Sequence, residues 1–316
     1  MHSFLPSFRF IFLCFPIAFA LSGLAQSNYP PKISGGRVVT YKSVAQNNLN
    51  LWIFTPPKSF ESRQKPAIVF FFGGGWRSGT PSQFEQQCKY LASRGMVAMT
   101  ADYRVSSRHG THATDCVEDG KSAIRWIRSN ADKWGIDPSK IAAGGGSAGA
   151  HIAAATATVR GYESKKENLD VSSKPNVLAL FNPALALDDI GHEFVIPQDK
   201  KKSLAQRIGT NPRKISPFHK LDKNFPPSII FHGTEDQAVP YLTVKLFERK
   251  AKSLNLKCKL VSFPEKPHGF FNWGKFENHP FRKTMLETDL FFQRIGWLKG
   301  MPSIDQFVNK LKPQSK

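Results

Sequence analysis

Short apolar runs rich in β-branched and aromatic residues alternate along this chain with stretches whose apolar positions recur every three or four residues. That alternation predicts an α/β fold, a mostly parallel sheet with helices on both faces. The first two runs, 36–41 and 49–55, lie close enough to pair antiparallel. Residues 67–72, AIVFFF, are apolar without interruption, as in a strand buried on both faces. Ser82 and Glu85 have the spacing of a capping box, and Phe84, Cys88 and Leu91 then repeat at helical spacing until Gly95. Further strands are predicted at 96–101, 140–144, 176–181, 228–231 and 258–263. One helix runs from Asp115, with Val117, Ile124, Ile127 and Ala131 in a single stripe, and Gly135 closes it. An alanine-rich helix covers 148–159, another carries Val244, Phe247, Ala251 and Leu254, and a last one covers 281–297. No internal repeat or low-complexity linker appears, so residues 26–316 read as one domain. Residues 183–226, rich in Pro, Lys and polar residues, read as a small insertion over the sheet.

Residues 1–25 break the alternation. Arg9 precedes an apolar run from Phe10 to Leu21, and Gly23 and Ala25 stand where a signal peptidase reads small residues. About a dozen apolar residues interrupted by Pro16 fall short of the roughly 20 that span a bilayer, so a cleaved signal is expected and no stable membrane anchor after cleavage. The expected location is secreted or periplasmic. Over the whole chain of 316 residues the composition is that of a globular protein, with 41% hydrophobic and 22% charged residues, which excludes a disordered or fibrous chain. Lys and Arg number 44 against 24 Asp and Glu, a formal charge of +20. The lysines are scattered, with runs only at 200–202 and after Lys299, and no basic stripe is interleaved with aromatics, so no nucleic-acid partner is expected. An acidic polysaccharide remains as a partner for the basic surface, beside the plainer account of a solvated face. Cleavage leaves three cysteines, Cys88, Cys116 and Cys258; a Cys88–Cys116 disulfide is permitted, buried inert thiols are the simpler account, and no Cys/His spacing suggests a metal.

The chemistry concentrates at predicted strand ends. Gly145-Gly146-Ser147-Ala148-Gly149 fits G-x-S-x-G where a short strand hands over to an alanine-rich helix. A sharp turn there requires residues without a Cβ two positions to either side, exposes the serine oxygen, and aims the helix N-terminus at developing negative charge. A glycine-rich turn with an N-cap serine would leave the same letters, whereas a phosphate loop would need a Lys that is missing. A serine hydroxyl needs a base and an orienting acid. Asp236 follows the strand at 228–231, and His268 follows the strand at 258–263, in the chain order Ser, Asp, His. Glu235 is a rival acid, His232 reads as a strand-end residue, and His151, one turn after Ser147, reads as packing. The glycines of Phe72-Gly73-Gly74-Gly75-Trp76 allow backbone N–H groups to crowd a substrate carbonyl, so Gly74, Gly75 and Ala148 are the candidate oxyanion donors.

These motifs, GGGW at 73–76, ADYR at 101–104, DPSKIAAGGGSAG at 137–149, HGTEDQAVP at 232–240 and HGFF at 268–271, resemble the α/β-hydrolase superfamily. Within it the chain is similar to esterases of the hormone-sensitive-lipase and BD-FAE type, many of them acetylxylan esterases or lipases, over about residues 36–298. The resemblance implies Ser147 as nucleophile, His268 as base, Asp236 as its partner, the three donors above, and no cofactor. It implies a serine carboxylesterase for short acyl esters of a small molecule or carbohydrate, with a peptidase or amidase, or a non-catalytic binding member, as alternatives. One departure is Phe72, where the family usually has His. The short stretch before the central strand leaves no room for a long N-terminal cap, so an open cleft is expected.

Overall fold

Successive side chains of β3 (Lys65–Phe71) enter two different apolar clusters: Ala67, Val69 and Phe71 one, Ile68 and Phe70 the other, all inaccessible to solvent. A strand buried on both faces belongs in the middle of a covered sheet. The computed structural model, which describes residues 29–58, 60 and 64–311, places it there. β1 (Arg37–Val44), β2 (Asn47–Phe54), β4 (Val97–Ala101), β5 (Ile136–Gly146), β6 (Val177–Phe181), β7 (Ser228–Gly233) and β8 (Cys258–Phe263) join it in the order β1-β2-β4-β3-β5-β6-β7-β8. β2 runs antiparallel to β1 and β4, and the remaining pairs are parallel. This is the α/β-hydrolase fold. Because β3 and β5 to β8 run the same way, their carboxyl ends open on one edge, where such sheets bind ligands.

The helices divide between the faces. Glu85–Ser93 and His279–Arg294 cover the side that holds Phe70, while Ala113–Ser129, Ala148–Thr158 and Tyr241–Ser253 cover the side that holds Phe71. Three local expectations need correction. The Ser82/Glu85 box does not form: Pro81–Phe84 is a 3₁₀ turn whose Pro81 carbonyl accepts from Thr100 Oγ1 at 2.8 Å, and the α-helix starts only at Glu85. The box instead occurs at His112 and Asp115. The stripe starting at Val117 ends with its helix at Ser129, because the Asn130 side chain and N–H both donate to the Trp126 carbonyl; Ala131 belongs to a separate turn that Gly135 closes in left-handed geometry. A helix at Ile304–Leu311, which the periodicity did not anticipate, packs Ile304 and Val308 into the second cluster.

The interval between β6 and β7 carries the helix Gln198–Ile208 and a shorter one, Pro217–Lys220. The expected signal at 1–25 lies outside the described residues; among those described, no helix is long and apolar enough to cross a membrane. Cys88, Cys116 and Cys258 are buried and free. Cys88 belongs to the Phe70 side and Cys116 to the Phe71 side, so the sheet stands between them and no disulfide joins them.

Burial raises the Cys88 and Cys116 thiols well above their ordinary range and pushes Cys258 up to about 11. None of the three is expected to react with Ellman's reagent at about pH 8 while the protein is folded, and all three should react in guanidinium. Prompt modification of any of them in the native protein, located by peptide mapping, would contradict this packing.

Candidate active site

Only Ser147 separates β5 from the helix Ala148–Thr158. Its backbone sits at φ 53°, ψ −116°, a sparsely populated region that costs a non-glycine residue on the order of 1–3 kcal/mol. The reason lies in the residues on either side. A Cβ on Gly149 would fall 2.1 Å from the Phe71 carbonyl oxygen, and one on Gly145 would fall 2.5 Å from the same atom. The first helical turn therefore sits directly on the end of β3, and the chain can make that approach only by the strained turn at Ser147. The expected role of the two flanking glycines is thus steric.

His268, in the loop after β8, meets Ser147 across this edge: Ser147 Oγ–H donates to Nε2 at 3.0 Å. Its Nδ1–H donates to Asp236 Oδ2 at 2.7 Å, and that carboxylate acceptor fixes the tautomer. Asp236, 5% exposed, is held by the N–H groups of Ala238 and Val239 on Oδ1 at 2.9 and 2.8 Å. Burial alone would raise its carboxyl, but hydrogen bonds from His232, His268 and Val239 outweigh it and hold the group well below the usual carboxylate range. The structure brings Ser147, Asp236 and His268 together and leaves Glu235 outside the chain of contacts. His232 is more than a strand-end residue. Its Nε2–H points to the Val239 carbonyl at 2.9 Å and Asp236 Oδ2 at 3.2 Å, which makes it a second histidine on the same carboxylate. Asn182, after β6, escaped sequence reasoning altogether; its Oδ1 accepts from Gly269 N–H at 3.0 Å and pins the loop that carries His268.

The glycine loop leaves β3 beside Ser147. Gly74 at φ 125° and Gly75 at φ 63° turn it, with the Gly74 carbonyl accepting from the N–H groups of Arg77 and Ser78. Gly74, Gly75 and Ala148 all line the cavity that holds Ser147 and His268, and among the described residues nothing accepts from their N–H groups. Gly73 N–H is unavailable to a substrate because it donates to Gln83 Oε1 at 2.6 Å. Phe72, in the place of the usual His, stacks on Tyr103 at 4.1 Å, and Tyr103 Oη–H donates to the Phe72 carbonyl at 2.7 Å. Gln83 and Tyr103 thus hold the loop. Trp76 is anchored by its indole N–H on His151 Nδ1 at 3.2 Å, and His151 Nε2–H donates to the Ile215 carbonyl at 2.8 Å. His151 is therefore packing, as expected, and it ties the loop, the nucleophile helix and the insertion to one ring.

The cavity measures about 910 Å³ and is partly open to solvent, with Val195, Asp199, Lys200, Gln237 and Pro240 exposed at its rim. Ala184, Leu187, Phe194, Ile196 and Leu204 of the insertion form much of its wall, with Val239 opposite. Among the described residues, no group of three or more His, Cys, Asp or Glu is arranged to hold a metal ion.

Residues 51–251 match the BD-FAE family. The solved structure of Thermogutta terrifontis esterase 2 phosphonylated by sarin is 47% identical, with a TM-score of 0.83 over 86% of this chain and 99% of that one. The butyrate-bound structure of the same enzyme is 48% identical, with a TM-score of 0.82 and the same coverage. Esterase LipC of Mycobacterium tuberculosis is 28% identical over 74% of this chain and 59% of its own length. An acetylxylan esterase of Xylanibacter ruminicola is 26% identical over 75% of this chain and 46% of its own. The chain spans little more than half the length of the first curated relatives it matches.

Burial pushes the His151 pKa down to about 4, against its hydrogen bond to Ile215. Between about pH 6.5 and that value the unfolded chain binds a proton that the folded chain refuses, so stability falls as the pH drops. From about pH 7 to about pH 5 the wild type should lose about 2 kcal/mol more than His151→Gln, measured by urea unfolding. Parallel pH profiles for the two proteins would show that His151 is not held neutral.

Proposed function

The chain belongs to the BD-FAE family, and on that premise we propose that it is an exported serine carboxylesterase that removes short acyl groups, acetyl to butyryl, from a carbohydrate. The observation that carries this reading is the chain of two hydrogen bonds from Ser147 through His268 to Asp236, beside three unengaged N–H groups. His268 Nε2 takes the Ser147 proton as Oγ attacks the ester carbonyl. The oxyanion forms against the N–H groups of Gly74, Gly75 and Ala148, at the N-terminus of the helix, where each donor contributes about 3–4 kcal/mol to the transition state. Asp236, kept ionised by its donors, stabilises the imidazolium that results. The imidazolium then protonates the leaving alkoxide, which leaves an acyl group on Oγ; water, deprotonated by the same nitrogen, attacks that acyl carbonyl, and the acyl–Oγ bond breaks as His268 returns the proton to Ser147 and the acid departs.

A cavity of about 910 Å³ lined in part by aliphatic and aromatic side chains accommodates a short acyl group beside Ser147 with room to spare. The butyrate-bound relative supports the same size. A second cavity, of about 570 Å³, shares Gly74 with the first and is lined by Gln83, Gln86, Asn272 and Trp273. An indole face beside side-chain amides suits sugar hydroxyls, and the buried Gln86 Oε1 has no partner among the described residues. The acetylxylan esterase among the relatives agrees with a carbohydrate alcohol. Export rests on the apolar segment at 10–21 followed by Gly23 and Ala25.

Turnover of p-nitrophenyl esters is expected to peak between acetate and butyrate and to fall steeply at octanoate. Ser147→Ala should lower kcat by at least about a thousandfold and abolish labelling by a fluorophosphonate probe. A variant that keeps most of its turnover, or a wild type that takes no label, sinks the assignment. N-terminal sequencing of the protein released by its own producing cells should begin at Gln26; a mature chain that retains residues 1–25 would remove the export claim.

A further inference from the structure

The helix Gln198–Ile208 turns Ser203, Leu204 and Arg207 toward the catalytic cavity. Arg207 reaches the glycine loop itself: a methyl group placed on Gly75 would lie 3.5 Å from its Nη1. The surroundings of this guanidinium differ from those of the other largely buried arginines. Arg94 closes on Asp289 at 2.6 Å, Arg104 on Asp119 at 2.8 Å and Arg125 on Glu163 at 2.5 Å, while Arg128 donates to the Pro138 and Lys174 carbonyls. Arg207 has no such acceptor among the described residues, and its buried Nε has no partner. Burial, and less so the like charge of Arg77, lowers its pKa. The charged residues at the other end of the same helix that also line the cavity, Asp199 and Lys200, are exposed.

A cation held half out of water beside an apolar wall, with a second cation near it, is costly unless an anion completes it. A planar guanidinium matches a carboxylate in two parallel hydrogen bonds. The apolar walls lower the local dielectric and strengthen that attraction. Resting on the esterase reading above, we infer that Arg207 is a specificity-determining residue that binds a carboxylate carried by the substrate close to its scissile ester. The substrate class is then an anionic ester, such as an acylated sugar acid, rather than a neutral one.

Two matched pairs of esters test this. On the alcohol side, 4-acetoxybenzoate is compared with 4-acetoxybenzamide; on the acyl side, p-nitrophenyl hydrogen glutarate with p-nitrophenyl valerate. In at least one pair the wild type should favour the anion in kcat/KM, chiefly through KM, and the arm that responds locates the carboxylate. Arg207→Gln should reduce that anion-to-neutral ratio at least about tenfold, and Arg207→Lys should recover part of it. Absence of a preference in both pairs, or a ratio unmoved in Arg207→Gln, overturns the inference. If the wild type hydrolyses none of the four esters, the esterase reading fails, and binding still decides the anion site. In at least one of the two pairs Ser147→Ala should bind the anionic ester more tightly than its neutral partner by calorimetry, and the double variant Ser147→Ala/Arg207→Gln should not; equal binding within both pairs in Ser147→Ala, or a preference unmoved in the double variant, overturns the inference by that route.

Discussion

The site depends on one close approach: the first turn of the helix Ala148–Thr158 resting on the carbonyl oxygens that end β3. No side chain fits between them, so glycine is required at 145 and 149, and the intervening residues must turn through the left-handed backbone of Ser147. Strain of that kind persists only where the surroundings over-determine it. Here β5 is paired on both sides, by β3 and β6, and the helix is buried along almost all of its length, so neither end of the turn can relax. The same contact has a chemical consequence. β3 continues directly into the glycine loop, so the strand that presses on the nucleophile helix also delivers Gly74 and Gly75 to the side of Ser147. Ser147 and the N–H groups of Gly74 and Gly75 are thereby positioned by one packing constraint rather than by separate ones.

A loop of three glycines has little stiffness of its own, and in this chain no histidine precedes it. Rigidity comes instead from groups on other elements. Gln83 takes the Gly73 N–H, Tyr103 takes the Phe72 carbonyl and stacks on its ring, and Trp76 is fixed through His151. Tyr103 is in turn set by the ADYR segment, in which Arg104 pairs with the wholly buried Asp119. Replacing a polar residue by Phe72 is therefore compatible with an ordered loop: the aromatic stack substitutes packing for a side-chain hydrogen bond, and backbone groups carry the remaining contacts. His151 adds a coupling. Its two nitrogens join Trp76 to Ile215, so the insertion that walls the cavity and the glycine loop share a neutral, buried imidazole.

What sequence reasoning recovered is what depends on steric or local rules. Strand positions followed from unbroken apolar runs, and the grouping of Ser147, Asp236 and His268 followed from G-x-S-x-G geometry and from residues placed just beyond strand ends. What escaped it is set by contacts far apart in the chain. The Ser82/Glu85 box has ideal spacing, yet Thr100 captures the Pro81 carbonyl and moves the helix start. Counting residues before the central strand says nothing of the cavity wall that a segment after β6 supplies, because its polar composition hides a helix with one face toward the cavity. The second contact of His232 with Asp236, at a spacing of four residues, could have been suspected from HGTED alone. No local signal distinguishes Arg207 from the other basic residues of its helix.

The excess positive charge acquires a different meaning once the pairs are assigned. Carboxylates in the interior are engaged by cations: Asp119 by Lys42 and Arg104, Glu163 by Lys121 and Arg125, Asp289 by Arg94. Much of the surplus therefore lies outside, at side chains such as Arg249 and Lys252 that remain largely exposed even when paired. At physiological ionic strength such charges act over about 8 Å, so they can concentrate an anionic polymer near the surface but cannot tell one ester from its neighbour. Discrimination at the ester requires a charge that is less screened than the surface lysines and placed beside the site itself. Arg207 meets that requirement because it lines the cavity beside Gly75, half-buried and without a carboxylate of its own among the described residues, and the surface lysines do not.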